Sequence, residues 1–454
     1  MIQAGIFRQY DIRGVVGDDL TLEAAEGIGR GYAALLTERG LPGAVAVGRD
    51  NRLSGGALRD ALVKGLTESG RDVVDIGEVP TPALYWSLHH AGVAGGIQIT
   101  GSHNPPEFNG FKLCVGTDSL HGEGIQHLRA LIAGFAPAKV RGTVRNVYVL
   151  DDYVRDIVAR TGAIKRPIKV VVDCGNGAGA LVAPQLFAAL GVDAELIFAE
   201  SDGTFPNHHP DPTVVENLQD LIAAVKRSGA ELGIGFDGDA DRIGIVDRDG
   251  TIVWGDYLLI LYARDVLART GPGQSIIFEV KCSQALPDAI RAAGGAPVMW
   301  KTGHSLIKEK MKELHAPLAG EMSGHMFFAE GFYGHDDALY GAARLLRILG
   351  DTGKRVDELL ADVPRFVSTP ELRVDCPDDR KFAVVAAAQA YFAARREVID
   401  VDGARILFGD GWGLIRASNT QPILVLRFEA RSEQRLAEIR AEVEGWLRTQ
   451  GVGG

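Results

Sequence analysis

The chain has 454 residues, 46% of them hydrophobic and 24% charged, which argues against disorder and implies roughly three domains by length alone. With 48 Lys and Arg against 59 Asp and Glu the net charge is −11, so nonspecific binding to nucleic acid or an anionic membrane is disfavoured. Cys114, Cys174, Cys282 and Cys376 lie far apart without CxxC spacing, which points away from a zinc site and from a disulfide framework.

Met1–Arg13 has neither the basic start nor the apolar core of a secretory signal. Phe382–Ala394, the most apolar long stretch, is too short to cross a bilayer, so a cytoplasmic protein is expected. Three segments then repeat one layout of strand, helix, glycine and strand. The first runs from Ala44–Gly48 through Ser54–Ser69 and Gly70 to Asp72–Ile76. Its helix places Ala57, Leu58, Ala61, Leu62 and Leu66 on one stripe after Ser54 as N-cap. The second runs from Lys169–Asp173 through Ala178–Leu190 and Gly191 to Asp193–Phe198, and the third from Ser275–Glu279 through Ser283–Ala293 and Gly294 to Ala296–Trp300. Strands this apolar suit parallel βαβ units covered on both faces. The last ninety or so residues differ: Arg405–Phe408, Gly413–Arg416 and Ile423–Glu429 read as strands. Ser432 then caps a helix with Leu436, Ile439, Val443, Trp446 and Leu447 on one face. The expected fold is α/β: three similar domains with mixed, largely parallel sheets and a smaller C-terminal α+β domain. Boundaries near Leu150, Gly250 and Pro364 divide the chain into 1–149, 150–250, 251–363 and 364–454.

Four loops carry chemistry. Thr100–Pro106 (TGSHNPP) follows the apolar run Val93–Ile99, at the kind of strand end where α/β enzymes place reactive groups. Ser102 and His103 are adjacent, but neighbours in sequence point apart and no G-x-S-x-G elbow surrounds them, which disfavours a hydrolase triad. An ordinary Ser/Asn/Pro turn is the competing reading. Lys112 can return to the same place. Asp237–Arg242 (DGDADR) offers three carboxylates at alternating positions, and oxygen-only ligands suit Mg²⁺ or Ca²⁺. An EF-hand is excluded because Arg242 and Arg248 stand where that loop requires Gly and Glu. Arg242 beside an acidic metal loop suits a phosphate sharing the cation, whereas a solvated acidic turn would need no such neighbour. Gly320–His325 (GEMSGH) can turn Glu321, Ser323 and His325 toward a sugar, although a buried Glu–His pair is also a common structural feature. Arg416–Pro422 (RASNTQP) combines a guanidinium fork, hydroxyls and loop N–H groups into a phosphate cradle, or else is plain turn chemistry.

Gly175–Ala180 competes with these loops, because Gly175, Gly177 and Ala180 satisfy the dinucleotide G-x-G-x-x-A form after a strand, with Glu195 and Glu200 placed for a ribose. A Rossmann oxidoreductase is therefore the rival from another class. It would leave the other loops without a role.

Taken together, YDIRG from Tyr10, TGSHNP from Thr100, DGDADR from Asp237, GEMSGH from Gly320 and RASNT from Arg416 resemble the α-D-phosphohexomutase superfamily, in its order and along the whole chain. GEMSGH is similar to the bacterial phosphomannomutase/phosphoglucomutase branch; phosphoglucosamine mutases, the nearer alternative, usually carry Gln at the Met322 position. One departure is Gly331, where close bacterial relatives tend to have Arg. The resemblance implies four domains around a central cleft. It further implies an enzyme interconverting hexose 1-phosphate and hexose 6-phosphate through a phosphoserine at Ser102 and a hexose 1,6-bisphosphate. By the same resemblance, Asp237, Asp239, Asp241 and a phosphoserine oxygen bind Mg²⁺, and Arg242 stabilises the transferring group. Lys112, with Arg13 and His103, is the acid/base cluster at Ser102, and His325 is its counterpart at the sugar. Glu321 and Ser323 grip hydroxyls, Lys281 and His304 line the cleft, Tyr10 closes its floor, and Arg416, Ser418, Asn419 and Thr420 hold the non-reacting phosphate. The expected partners are phosphosugars, with no nucleic acid or membrane, and the expected state is a monomer with a dimer left open.

Overall fold

The computed structural model describes residues 2–134, 136–419 and 421–452. Three of its sheets share a four-stranded core. In the first, Val45–Arg49 lies between Val73–Glu78 and Gly95–Ile99, all parallel, and Phe108–Val115 adds antiparallel to Gly95–Ile99. The second repeats this with Lys169–Asp173 between Asp193–Ile197 and Leu232–Phe236, then Ile243–Asp247 antiparallel. The third has Ser275–Glu279 between Ala296–Trp300 and Leu318–Gly320, then Met326–Phe328 antiparallel. The repeat read from the sequence is thus a repeat of topology. Its consequence is chemical: the hairpin joining the third and fourth core strands is Thr100–Glu107 in one sheet, Asp237–Arg242 in the next and Glu321–His325 in the last.

Helix ends follow local chemistry. The helix expected over Ala178–Leu190 divides into a 3-10 turn, Ala178–Leu181, and an α-helix, Ala183–Ala189, because Pro184 lacks an N–H and opens a new helix in its first turn. Ser54 sits at the N-cap of Gly55–Glu68 but makes no capping bond; its hydroxyl accepts from Asn109 instead, at 2.9 Å. Ala57 on that helix is exposed, and the buried face turns toward Leu58, Leu62, Val63 and Leu66 because Gly65 packs closely on the neighbouring helix Leu22–Glu38. Ser432 does cap, accepting from the Arg435 N–H at 3.3 Å, and all five apolar residues of its helix are buried. The second sheet passes Gly250, since Ile252–Val253 pairs back onto Ile243–Asp247 across the turn at Asp247–Gly250.

One apolar cluster runs through the first three units, from Tyr85 and Trp86 through Tyr153 and Phe236 to Leu258 and Leu339. Shared burial of this kind fixes the three hairpins relative to one another. The fourth sheet is antiparallel throughout and has its own core, including Phe392, Phe428 and Trp446. It meets the third unit through a small cluster of Val280, Trp412 and Leu414, and through Arg405, which donates to the Val280 and Cys282 carbonyls at 2.6 and 2.7 Å. All four cysteines are buried and free, and no helix among the described residues is long and apolar enough to cross a membrane.

Candidate active site

The three hairpins converge. The Ser102 hydroxyl donates to Asp237 Oδ2 at 3.1 Å, from a backbone with φ of +51°, a left-handed conformation that L-residues hold only when their surroundings impose it. Gly238 permits this approach, because a Cβ there would stand 2.4 Å from the Ser102 carbonyl oxygen. His103 Nδ1 lies 2.8 Å from Asp211. The first unit also secures the acidic loop: the Thr81 N–H donates to the Asp239 carbonyl at 3.0 Å, and the Thr81 and Thr100 hydroxyls donate to its carboxylate. A backbone bridge between Arg242 and His325 ties the second hairpin to the third.

Asp237, Asp239 and Asp241 are fully buried, with one oxygen of each within 4.8 Å of the others. Three carboxylates so close cannot share one ordinary ionisation: burial and the neighbouring Asp charges push Asp237 and Asp241 up. For Asp239 burial acts the same way, but the Lys112 charge and the Thr81 hydroxyl prevail and hold it low. Lys112 bridges Asp239, at 3.1 Å, and Asp241; against burial, these carboxylates hold it above its ordinary value. It is therefore held as the ammonium, a hydrogen-bond donor that cannot take up a proton. Oδ1 of Asp239 and Oδ1 of Asp241 have no hydrogen-bond partner. Orphaned, buried, hard oxygen donors fit a small divalent cation of the Mg²⁺ kind.

His325 and its neighbours form the next layer. Arg242 Nε donates to His325 Nε2 at 3.0 Å, so that nitrogen carries a lone pair; Nδ1 lies 3.2 Å from Asp336 and 3.5 Å from Asp241. His304 stacks on His325 with ring centroids 5.9 Å apart, and burial with the nearby Lys308 charge drives it well below the usual imidazole value. Burial and the flanking Arg242 and Arg13 charges push His103 down to about 4, although Asp211 pulls the other way. Arg13 bonds Asn104 at 3.2 Å and pairs with Asp11.

A second group of predicted residues gathers where the first, third and fourth units meet. The Tyr10 hydroxyl donates to the Thr302 carbonyl at 2.8 Å and accepts from Asn419 at 2.6 Å, with Arg416 Nη2 at 3.4 Å. Arg416 is anchored by Asp402 at 2.6 Å, and against burial that carboxylate raises its already high value. The Ser418 hydroxyl accepts from the Gln421 N–H at 3.1 Å; Thr420 lies outside the described residues. Lys281 pairs with Glu371, which that ammonium draws down to about 2. Glu321 accepts from the Gly303 N–H at 2.7 Å and faces Ser323 at 3.4 Å, between the two groups. Arg52, Asp211, Glu279, Asp336 and Asp402 also reach these clusters, and none was marked by a sequence motif. None of them sits in a recognisable pattern; only the crowding of Arg49, Asp50 and Arg52 at the end of a buried strand offered a signal.

The glycine-rich turn at 175–180 has a different task. Gly177 packs on the acidic loop, where a Cβ would stand 2.7 Å from the Gly238 carbonyl oxygen, and the Ala178 N–H donates to that carbonyl at 2.8 Å. A pyrophosphate has no place between them. Glu195 pairs with Arg227.

Four family models match in chain order: phosphoglucomutase/phosphomannomutase α/β/α domain I over residues 4–132, domain II over 151–250, domain III over 254–366 and the C-terminal domain over 371–445. The chain belongs to the phosphoglucomutase/phosphomannomutase family. It is 50% identical over 436 residues to a phosphomannomutase/phosphoglucomutase of Pseudomonas putida, covering 96% of this chain and 94% of that one. It is 48% identical to a phosphoglucomutase of Neisseria gonorrhoeae, covering 97% and 96%. A phosphoglucomutase/phosphomannomutase family protein of Burkholderia thailandensis superposes with a TM-score of 0.92 at 45% identity, over 99% of this chain and 98% of that one. The chain is accordingly a mutase of the isomerase class, and the oxidoreductase reading is set aside. Within this family Gly331, with φ of +75°, accepts from Arg160 at 3.1 Å through its carbonyl, and the Met322 sulfur contacts Arg427.

Proposed function

We propose that this mutase interconverts the 1- and 6-phosphates of mannose, glucose or both, through phosphoserine at Ser102 and a hexose 1,6-bisphosphate. The observation that carries the reading is the Ser102 hydroxyl 3.1 Å from Asp237, inside a buried carboxylate cluster that also holds Lys112. Asp237, Asp239 and Asp241, with a phosphoserine oxygen, would hold Mg²⁺, which supplies charge compensation for the transferring group.

The remaining work falls to the chain. In the first transfer the bond from phosphorus to Ser102 Oγ breaks and a bond to a sugar hydroxyl oxygen forms. The hydroxyl proton goes to His325 Nε2, which Arg242 leaves when it turns to the phosphoryl oxygens. Lys112, protonated between its carboxylates, gives a proton to the departing Ser102 oxygen. The second transfer reverses these steps at the other end of the sugar. Between them the bisphosphate turns end for end, so one site must grip whichever phosphate is distal. Arg416, Ser418, Asn419 and Thr420 are assigned that grip, Tyr10 the floor beneath it, Glu321 and Ser323 the sugar hydroxyls, and Lys281 and His304 the walls. The chain divides for this purpose into 1–149, 150–250, 251–363 and 364–454, the last moving as a lid on its small apolar contact.

The test is interconversion of glucose 1-phosphate and mannose 1-phosphate with their 6-phosphates, primed by bisphosphate, alongside the intact mass before and after phosphatase. A protein that turns over neither sugar, or glucosamine phosphate alone, refutes the assignment.

A further inference from the structure

Arg52 follows the first core strand, and its side chain is fully buried. Its guanidinium collects the carbonyls of the Ser102 loop: Nη2 donates to Ser102 at 2.7 Å and Asn104 at 2.6 Å, and Nη1 to Pro105 at 2.6 Å and Phe108 at 3.0 Å. Nε donates to Asp50 Oδ2 at 3.2 Å, an oxygen that also accepts the Gly101 N–H at 3.2 Å. Four carbonyl oxygens turned toward one point would repel one another without a cation between them. Only a planar fork with five donors can satisfy them while keeping its carboxylate; a lysine has three donors and no fixed plane. Because a trans peptide sets C=O and N–H on opposite sides, fixing the Ser102 carbonyl turns the His103 N–H to the other face. That N–H donates to no described group.

We propose that Arg52 is a positioning residue for phosphoryl transfer. It clamps the carbonyl side of the nucleophile loop, so that Ser102 Oγ stays against Asp237 and the His103 N–H remains available to an oxygen of the phosphoryl group. The proposal rests on Ser102 being the phosphoryl carrier, and wild-type protein tests that part separately. A wild type that turns over while Ser102 stays unphosphorylated even after incubation with hexose 1,6-bisphosphate refutes the carrier reading, whatever Arg52 does.

With a phosphorylated wild type in hand, Arg52→Lys should lower kcat about a hundredfold, as a nucleophile displaced by roughly an ångström does, while KM for glucose 1-phosphate stays near wild type. In Arg52→Gly, added guanidinium ion should restore part of the lost kcat and methylammonium should not, since only the former has the fork. Wild-type kcat in Arg52→Lys overturns the proposal. So does a joint fall of kcat, substrate affinity and melting temperature in Arg52→Lys that guanidinium does not relieve in Arg52→Gly, because that pattern marks a scaffold residue. Should Arg52→Gly not fold, the kcat and KM of Arg52→Lys decide alone.

Discussion

Arg416→Ala tests the grip on the distal phosphate most directly. Asp402 occupies Nε of Arg416 at 2.6 Å, and Tyr10 stands 3.4 Å from Nη2, so the outer edge of the fork is the part that can face a phosphate. A hydrogen bond to a charged group contributes about 1.5–3 kcal/mol net, and about 1.4 kcal/mol is tenfold, so losing one such contact implies a ten- to hundredfold weaker complex. Asp402, with only 15% of its side chain exposed, would also lose its counter-charge and stand as an unpaired anion beside the phosphate. Arg416→Ala should therefore fall at or beyond the upper end of that range, and Arg416→Ala with Asp402→Asn should recover part of the loss. Both hexose 1-phosphate and hexose 6-phosphate should suffer, since each presents its phosphate there in one orientation. Phosphorylation of Ser102 should persist. The assay is steady-state kinetics with each substrate, with intact mass as the control. Unchanged KM and kcat for both substrates would refute the cradle, and a loss confined to one substrate would refute its use in both half-reactions.

The fold was legible where the chain speaks locally. Buried strands such as Lys169–Asp173 and Leu232–Phe236 are short apolar runs, and each reactive loop lies within a few residues of one. That coincidence has a topological cause. The hairpin after the third core strand is a turn at the end of a rigid sheet, and three copies of it converge. What the sequence withheld was pairing across units. Nothing local predicts that Asp211 meets His103 or that Tyr10 reaches Thr302, because those bonds join segments 108 and 292 residues apart. Pro184 lies within a continuous apolar pattern, where it starts a helix and does not merely interrupt one. Gly177 taught the reverse lesson, since a nucleotide-like spacing of glycines served close backbone packing against the acidic loop.

Three further outcomes are expected. Ser102→Ala should abolish both the phosphoprotein mass and turnover while the melting curve survives, and full activity in that variant would end the covalent mechanism. Chelation should remove turnover and Mg²⁺ restore it; Mg²⁺ should also raise the melting temperature, because it neutralises buried carboxylates that now press on one another, and a metal-indifferent melting curve would contradict that. The last concerns His103. Asp211 at 2.8 Å would ordinarily raise an imidazole, yet burial and the Arg242 and Arg13 charges win and hold it near about 4. The folded value lies below the unfolded one of about 6.5, so the unfolded chain binds more protons between those limits. The stability contributed by neutral His103 is therefore complete above about pH 6.5 and lost as pH falls toward 4. A quarter of the side chain is exposed, so solvent reduces the size of this effect without changing its sign. His103→Asn keeps a donor for Asp211 and removes the titration, and its denaturation midpoint should fall less steeply over that window than wild type. In wild-type protein the His103 ring resonance should titrate near pH 4, and in Arg242→Met it should titrate higher. A midpoint near 6.5 in wild type, unmoved by Arg242→Met, would show that the arginine charges do not govern this ring.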